Sequence, residues 1–255
     1  ILHQRGTSLF YRTQPGQFAL TEFLDDPDIP REWKEKFPAR RRTRDLKRPH
    51  ALAMRRSFVL RLLRSAGVFE DIVRAAEADK ALASMHPDEM AERGYCAVWT
   101  FSMVRKADNV LAYRVGRYRN DCDAFANKRS IGFPGALSAD DVSLFSRDRL
   151  GVVDCAITVL QNDLDLSFSA FDGRSSRQPE IDGVMAVEGM EGALVVVVIL
   201  SWRCPDWFEP TTQRLSLNDP AWLCSKTRLN NLDDFEPWSE RVLARLTAVG
   251  QKVPP

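Results

Sequence analysis

The amino-acid sequence predicts an α+β fold, and three stretches support this prediction. Residues 95–104 and 110–118 are rich in β-branched and aromatic residues and are joined by a short polar segment, which is typical of a β-hairpin. In residues 150–164, apolar side chains recur at steps of three and four, which indicates an amphipathic helix. Residues 192–200, GALVVVVIL, are rich in β-branched residues, which predicts a core strand. This run is also far shorter than the ~20 residues of a membrane-spanning helix.

The N-terminal part divides into three segments of different composition. Residues 1–23 alternate aromatic and polar side chains around Pro15 and Gly16, which predicts a small hairpin that needs further structure to be stable. Residues 24–56 mix four prolines with charged side chains and predict a basic linker. Residues 57–83 follow a helical pattern and open the main domain, which we place at 57–255.

The C-terminal part adds strands and a closing helix. We predict strands around residues 183–187 and 193–201, and a helix that begins near Asp233 or Asp234. The predicted order of elements is a hairpin, a loop, a helix, two strands and a closing helix, which is an α+β arrangement. A chain of 255 residues is long enough to bury one substantial core.

Charge is balanced overall but uneven along the chain. The net charge is +1 with 28% charged residues, an ordinary globular balance. Ten basic residues lie between positions 40 and 64 with Asp45 as the only acid among them. Such a cluster can contact phosphates in a salt-sensitive way that is blind to sequence, although a solvated basic linker explains it equally well. The candidate nucleic-acid contacts are Arg12, Arg40, Arg41, Arg42 and Arg44.

The cysteines and the apolar runs bear on the cellular compartment in which the protein is expected. Five cysteines without a CxxC pair predict neither a zinc ribbon nor a disulfide framework, which favours a reducing cytoplasm. We see neither a signal peptide nor a membrane segment, and the sequence leaves open whether residues precede Ile1. The oligomeric state is also open.

A resemblance to a known family appears at residues 130–145, SIGFPGALSADDVSLF, followed by 151–166, GVVDCAITVLQNDLDL. Together they resemble the GFGGH loop and the helix of a Nudix-like group, and FEPWSE at 235–240 resembles its C-terminal signature. The resemblance covers about residues 95–246 and implies a mixed sheet flanked by helices. It also implies a nucleotide-type ligand, with the candidate contacts Gly132, Phe133, Gly135, Asp140 and Asp141.

The active form of this helix carries Arg-Glu-x-x-Glu-Glu, in which acids on one face hold Mg²⁺ against a pyrophosphate. In this chain Val159 stands at the first glutamate, Asn162 at the second and Asp163 at the third. The loop departs as well, with Pro134 and Ala136 where the group has glycine and histidine. We therefore expect no cofactor, and would assign Mg²⁺ to Asp163 and Asn162 only if the protein is active.

A second resemblance covers about the first twenty residues. SLFYRTQPGQFAL at 8–20 resembles the last strands of a HARE-type winged-helix domain, a family associated with DNA-binding proteins. It implies weak DNA contact within a regulatory protein.

These observations predict a non-catalytic Nudix-like module that binds a nucleotide-type ligand or a partner protein in a DNA-associated regulator. The alternative is a divalent-metal pyrophosphohydrolase whose ligands lie outside the helix positions, and a third reading is an interaction protein without a small-molecule site. Candidate ligands for the alternative are Asp140, Asp141, Asp154 and Glu188.

An ordinary structural role is the more frequent one for several of these residues. Ser138 followed by two aspartates is typical of a helix N-terminus, Asp163 of a solvated helix carboxylate and Cys155 of a packing residue. The histidines lie at positions 3, 50 and 86, before the predicted core, which argues against Ser-His-Asp chemistry there.

Overall fold

The structure is a computed structural model of the 255-residue chain. It divides into two compact units, Ile1–Arg48 and Pro49–Pro255. The described residues are 3–4, 7–8, 10–14, 17–30, 34, 50–62, 68–116, 127–138, 141, 149–166, 178–188, 193–210, 217–224 and 231–250.

The first unit contains two short antiparallel pairs. The strands are β1 (His3–Gln4) with β2 (Thr7–Ser8) and β3 (Phe10–Gln14) with β4 (Gln17–Leu20), followed by a 3-10 helix at Thr21–Leu24. The hairpin predicted around residues 15 and 16 is confirmed, because Phe10 is paired with Leu20 and Gln14 with Gln17. A two-stranded hairpin occurs in many folds, so the winged-helix resemblance stays a prediction.

The described part of the second unit contains nine strands, five α-helices and a 3-10 helix at Leu232–Asp234. The strands are β5 (Ala51–Arg55), β6 (Leu82–Met85), β7 (Tyr95–Lys106), β8 (Asn109–Val115), β9 (Arg129–Ser130), β10 (Phe133–Ala136), β11 (Glu180–Glu188), β12 (Leu194–Arg203) and β13 (Leu217–Cys224). The helices are α1 (Arg56–Leu62), α2 (Phe69–Ala78), α3 (Pro87–Met90), α4 (Val152–Leu164) and α5 (Pro237–Gly250).

The long strand β7 is the centre of a mixed sheet. It pairs in parallel with β12 and antiparallel with β5, β8 and β10. Strand β11 extends the sheet beyond β12, and β6 extends it beyond β5. Strand β8 also pairs with β9 and β13, which forms a second, antiparallel part of the sheet.

The two long helices cover opposite faces of the sheet around β7. Successive side chains of a strand point to opposite faces. Thr100 contacts Cys155 of α4, whereas Trp99 and Phe101 make edge-to-face contacts with Trp238 of α5. Burial follows this arrangement, because β12 is buried from residue 195 to residue 202. A strand covered on both faces reads as a continuous apolar run, which explains the valines seen in the sequence.

Most predicted elements of the second unit are confirmed with small shifts of their bounds. The amphipathic helix is α4, the predicted hairpin is β7 with β8, the two later strands are β11 and β12, and the closing helix is α5.

Two segments differ from the prediction. Strand β5 lies at the end of the predicted linker 24–56, and β6 begins within the last two residues of the predicted helical segment 57–83. Both strands owe their conformation to pairing: β5 is hydrogen-bonded to β6 on one side and to β7 on the other. Pairing with distant strands overrides local propensity. The first four residues of β5 are all buried, so the segment lacks the alternation of apolar and polar side chains that would mark it as a strand in the sequence.

Candidate functional site

Strand β10 and helix α4 form the strand–loop–helix unit on which the sequence resemblance rests. Gly135 of β10 is paired with Thr100 of β7, directly below α4. A Cβ atom on Gly135 would lie 2.5 Å from Cγ2 of Val159, 2.8 Å from Oγ1 of Thr100 and 3.2 Å from Sγ of Cys155. Real Cβ atoms do not approach other atoms this closely. The helix therefore lies directly on the strand, and Gly135 is required by this contact.

Two further predicted ligand contacts lie at the start of β10: Gly132 is in the buried turn that leads into this strand, and Phe133 is its first residue. A Cβ atom on Gly132 would lie 2.5 Å from the ring of Phe101. The carbonyl oxygen of Gly132 accepts a hydrogen bond of 2.9 Å from the hydroxyl of Tyr113. The ring of Phe133 stacks on that of Tyr113, with centroids 4.8 Å apart. Ile131 and Phe133 pack into the core, because both are fully buried.

Asp141 caps the turn after β10. Its Oδ2 accepts a hydrogen bond of 2.7 Å from the backbone N–H of Ser138. The turn is therefore capped by the aspartate rather than by the serine side chain, whose hydroxyl donates to the carbonyl oxygen of His50 at 3.3 Å. Asp140 lies outside the described residues.

The thiol of Cys155 lies in the contact between α4 and the sheet. Its Sγ is 3.6 Å from Oγ1 of Thr100 and 3.8 Å from the carbonyl oxygen of Ala136. Burial raises the pKa of Cys155 to about 12, so the thiol stays protonated at neutral pH. A protonated buried thiol is a poor nucleophile, which fits the packing role expected from the sequence.

The helix positions predicted for metal ligands have different environments. Val159 is partly buried against Gly135, Asn162 is exposed, and Asp163 is 4% exposed. The expectation that Asp163 is a solvated carboxylate is therefore wrong, because the turn of α4 directs this residue into the core. Asp154 is the exposed acid of this helix, in its first turn.

The resemblance implies a divalent cation on α4, and the residues present do not fit one. Mg²⁺ needs several oxygen ligands in octahedral array, whereas the first position carries a valine methyl group in close contact with β10. Within the described ranges, no three His, Cys, Asp or Glu side chains are grouped to hold a metal ion. Of the other ligands considered in the sequence, Asp141 caps a turn and Glu188 ends β11.

A cleft opens where the C-terminal end of α4 meets the antiparallel part of the sheet. We call it the aromatic cleft. Its free volume is about 10 Å³, roughly the room of one water molecule, so it is a shallow apolar depression that does not enclose a ligand ring as it stands. Its walls come from β8, β10, α4, β13 and the segment after β12. The lining residues are Leu111, Tyr113, Phe133, Leu164, Pro210, Leu217 and Pro220.

The structure brings together only some of the predicted site residues. Phe133 lines the aromatic cleft, while Gly135 and Asp141 lie around the N-terminal half of α4. Arg12 lies on β3 in the first unit, and the predicted contacts at positions 40, 41, 42 and 44 fall outside the described residues. Sequence reasoning missed Tyr113, because one aromatic residue in a strand carries no local signal.

Comparisons with known proteins show the fold. No family model matches this chain, and no curated protein matches it. The solved structure of Tm1382, described as a candidate Nudix hydrolase, has a TM-score of 0.53 at 15% identity, covering 78% of this chain and 99% of Tm1382. A Nudix hydrolase from Alicyclobacillus acidocaldarius has a TM-score of 0.46 at 11% identity, covering 62% and 93%. A MutT Nudix hydrolase from Burkholderia pseudomallei has a TM-score of 0.40 at 10% identity, covering 58% and 95%.

The second unit therefore has a Nudix-like fold, a mixed sheet flanked by helices, as the resemblance implied. Among the described residues, no helix is long and apolar enough to cross a membrane.

Proposed function

We propose that this chain is a Nudix-type domain that recognises a nucleotide derivative, with pyrophosphohydrolysis as the activity that its fold favours. The observation that supports this proposal is the likeness of the second unit's fold to a solved structure described as a Nudix hydrolase. The aromatic cleft is the candidate place of recognition. The stacked rings of Tyr113 and Phe133 form its wall and are buried, so a ligand ring would have to widen the cleft to enter it.

The likeness to Tm1382, which is described as a Nudix hydrolase, favours hydrolysis over the non-catalytic regulatory role that the sequence predicts. None of the similar structures named above is described as a gene regulator. A hydrolase built on this chain cannot use the usual helix positions, since Val159 fills the first and Asn162 the second. The exposed carboxylate of α4 that is then available is Asp154.

Recognition without turnover is the second candidate function, and a specific contact favours it. The methyl group of Val159 packs onto β10 at the position where an active helix presents its first glutamate. A ligand that lies in the aromatic cleft would then be bound but not cleaved. Weak DNA contact through the basic linker stays a prediction, because those arginines lie outside the described residues.

We also propose a cytoplasmic location. The described cysteines Cys96, Cys155, Cys204 and Cys224 are all free thiols, which fits a reducing compartment.

The experiment uses ADP-ribose as the probe. Purified protein is incubated with ADP-ribose and millimolar Mg²⁺ or Mn²⁺, AMP release is measured, and binding is measured separately by calorimetry. AMP release above that of heat-inactivated protein supports hydrolysis, and binding without release supports recognition alone. Neither binding nor release would refute the proposal for this class of ligand.

A pair of variants locates the binding. Pro220→Glu places a carboxylate at the mouth of the aromatic cleft, where it repels a diphosphate. Asn218→Glu adds the same charge at an exposed position of β13 that does not line the cleft. We expect the first variant to weaken ADP-ribose binding and the second to leave it unchanged. Equal effects would place the ligand elsewhere.

A further inference from the structure

The turn between β9 and β10 is fastened to the start of α5. The backbone N–H of Glu236 donates to the carbonyl oxygen of Arg129 at 2.9 Å, beside a parallel bridge between Arg129 and Phe235. Two residues further along, the N–H of Ile131 donates to the hydroxyl oxygen of Ser239 at 2.9 Å. The C-terminal helix and this turn, more than 100 residues apart in sequence, thus share a continuous set of hydrogen bonds.

The side chain of Glu236 is the centre of this set and is 0% exposed. Its Oε2 accepts the N–H of Trp238 at 2.7 Å, and its Oε1 accepts the N–H of Ser239 at 2.8 Å. Oε1 also accepts the hydroxyl of Ser239 and lies 3.2 Å from the hydroxyl oxygen of Ser130. Glu236 therefore caps the N-terminus of α5, with Pro237 as the first helical residue.

The donors that surround this carboxyl group are neutral. They are two backbone N–H groups and the hydroxyl of Ser239. The hydroxyl of Ser130 has one proton, which either Oε1 of Glu236 at 3.2 Å or the carbonyl oxygen of Gly132 at 2.8 Å accepts. Burial raises the pKa of Glu236, and hydrogen bonds from Ser239, Trp238 and Ser130 oppose this rise. Because a buried carboxyl group is costly unless its acceptors are satisfied, these donors fix both the helix and the turn around Glu236.

The same turn forms one wall of the aromatic cleft. Ser130 Oγ lies 2.8 Å from the carbonyl oxygen of Gly132, which also accepts the Tyr113 hydroxyl at 2.9 Å. Tyr113 stacks on Phe133, the residue after Gly132, and both rings line the cleft. A chain of direct contacts thus leads from Glu236 to the rings.

We propose that Glu236 is a positioning residue: it fixes the turn between β9 and β10, and through it the Tyr113–Phe133 wall of the aromatic cleft. The fixing of the turn stands on the contacts alone. The consequence for a ligand rests on the proposed function.

The test compares Glu236→Gln with Glu240→Gln, an exposed glutamate in the first turn of the same helix. An amide nitrogen in place of one carboxylate oxygen faces an N–H donor, so the network loses an acceptor. We expect amide hydrogen exchange of Ile131 and Ser239 to accelerate about 10- to 100-fold, the range that a hydrogen bond to a charged group implies. Val198 in β12 should keep its wild-type protection, and Glu240→Gln should change neither site.

Uniform acceleration across the sheet, or unchanged protection of Ile131, would overturn the proposal. If Glu236→Gln does not fold, Ser239→Ala removes the hydroxyl that joins Ile131 to Glu236, and the same local pattern is expected from it.

ADP-ribose binding is the second readout: Glu236→Gln should weaken it and Glu240→Gln should not. Unchanged binding beside a loosened turn would overturn the link to the cleft. Failure of the wild type to bind ADP-ribose would count against the proposed function, while the exchange data would still decide the role of Glu236.

Discussion

Replacing Gly135 by alanine tests whether α4 lies directly on β10. The added methyl group would lie 2.5 Å from Cγ2 of Val159 and 2.8 Å from Oγ1 of Thr100, two short-branched side chains that cannot swing aside. Overpacking of this kind costs about 1 to 3 kcal/mol. For a domain of roughly 200 residues, each kcal/mol lowers the Tm by about 2 to 4 °C.

Gly183→Ala is the matched control, because Gly183 also lies in a strand but a Cβ atom there has nothing within 4 Å. Where alanine fits, it stabilises by up to about 1 kcal/mol by restricting the unfolded chain. Thermal unfolding of both variants is the assay. We expect Gly135→Ala to melt several degrees below the wild type and Gly183→Ala to melt at or above it.

A double-mutant cycle with Val159→Ala identifies the contact responsible. Removing the two valine methyl groups takes away the nearest obstacle and leaves Thr100, so the cost of Gly135→Ala should shrink without vanishing. If Gly135→Ala is as stable as Gly183→Ala, the helix does not lie on the strand. The argument against a metal ion between them would then fail.

Two further predictions concern stability. Leu160→Ala, at a fully buried position of α4, should lower the free energy of unfolding by about 2 to 5 kcal/mol, whereas Asp154→Asn on the exposed face should change it by no more than about 0.5 kcal/mol. Chemical denaturation measures both variants, and equal effects would contradict the assigned faces of the helix. The second uses the raised pKa of Glu236, which means that the folded protein holds this proton more tightly than the unfolded chain. The stability that this tighter proton binding contributes is fully present below the unfolded pKa of about 4.3 and is lost as pH rises through the folded pKa. The free energy of unfolding of the wild type relative to Glu236→Gln should therefore fall over this pH interval. A difference that does not depend on pH would refute the prediction.

The sequence by itself determined the elements whose signal is local. The three- and four-residue steps around Leu160 define α4 wherever it packs, and the valine run of β12 requires burial on both faces. The structure shows Gly135 in close packing against Val159, and ligand contact of Gly132, Phe133 and Gly135 stays a prediction. Local patterns report the period and polarity of a segment, and these survive in any tertiary arrangement.

Only the tertiary structure decided the features that depend on distant partners. Strand β5 became a strand through pairing with β6 and β7, and Asp163 turned out to be buried because of the way α4 lies on the sheet. The sequence contains the motif FEPWSE, but it does not show which residues this motif contacts. Glu236 acquires its role from Ser130 and Ile131, more than 100 residues earlier, and no periodicity within a segment can report a hydrogen bond across that separation.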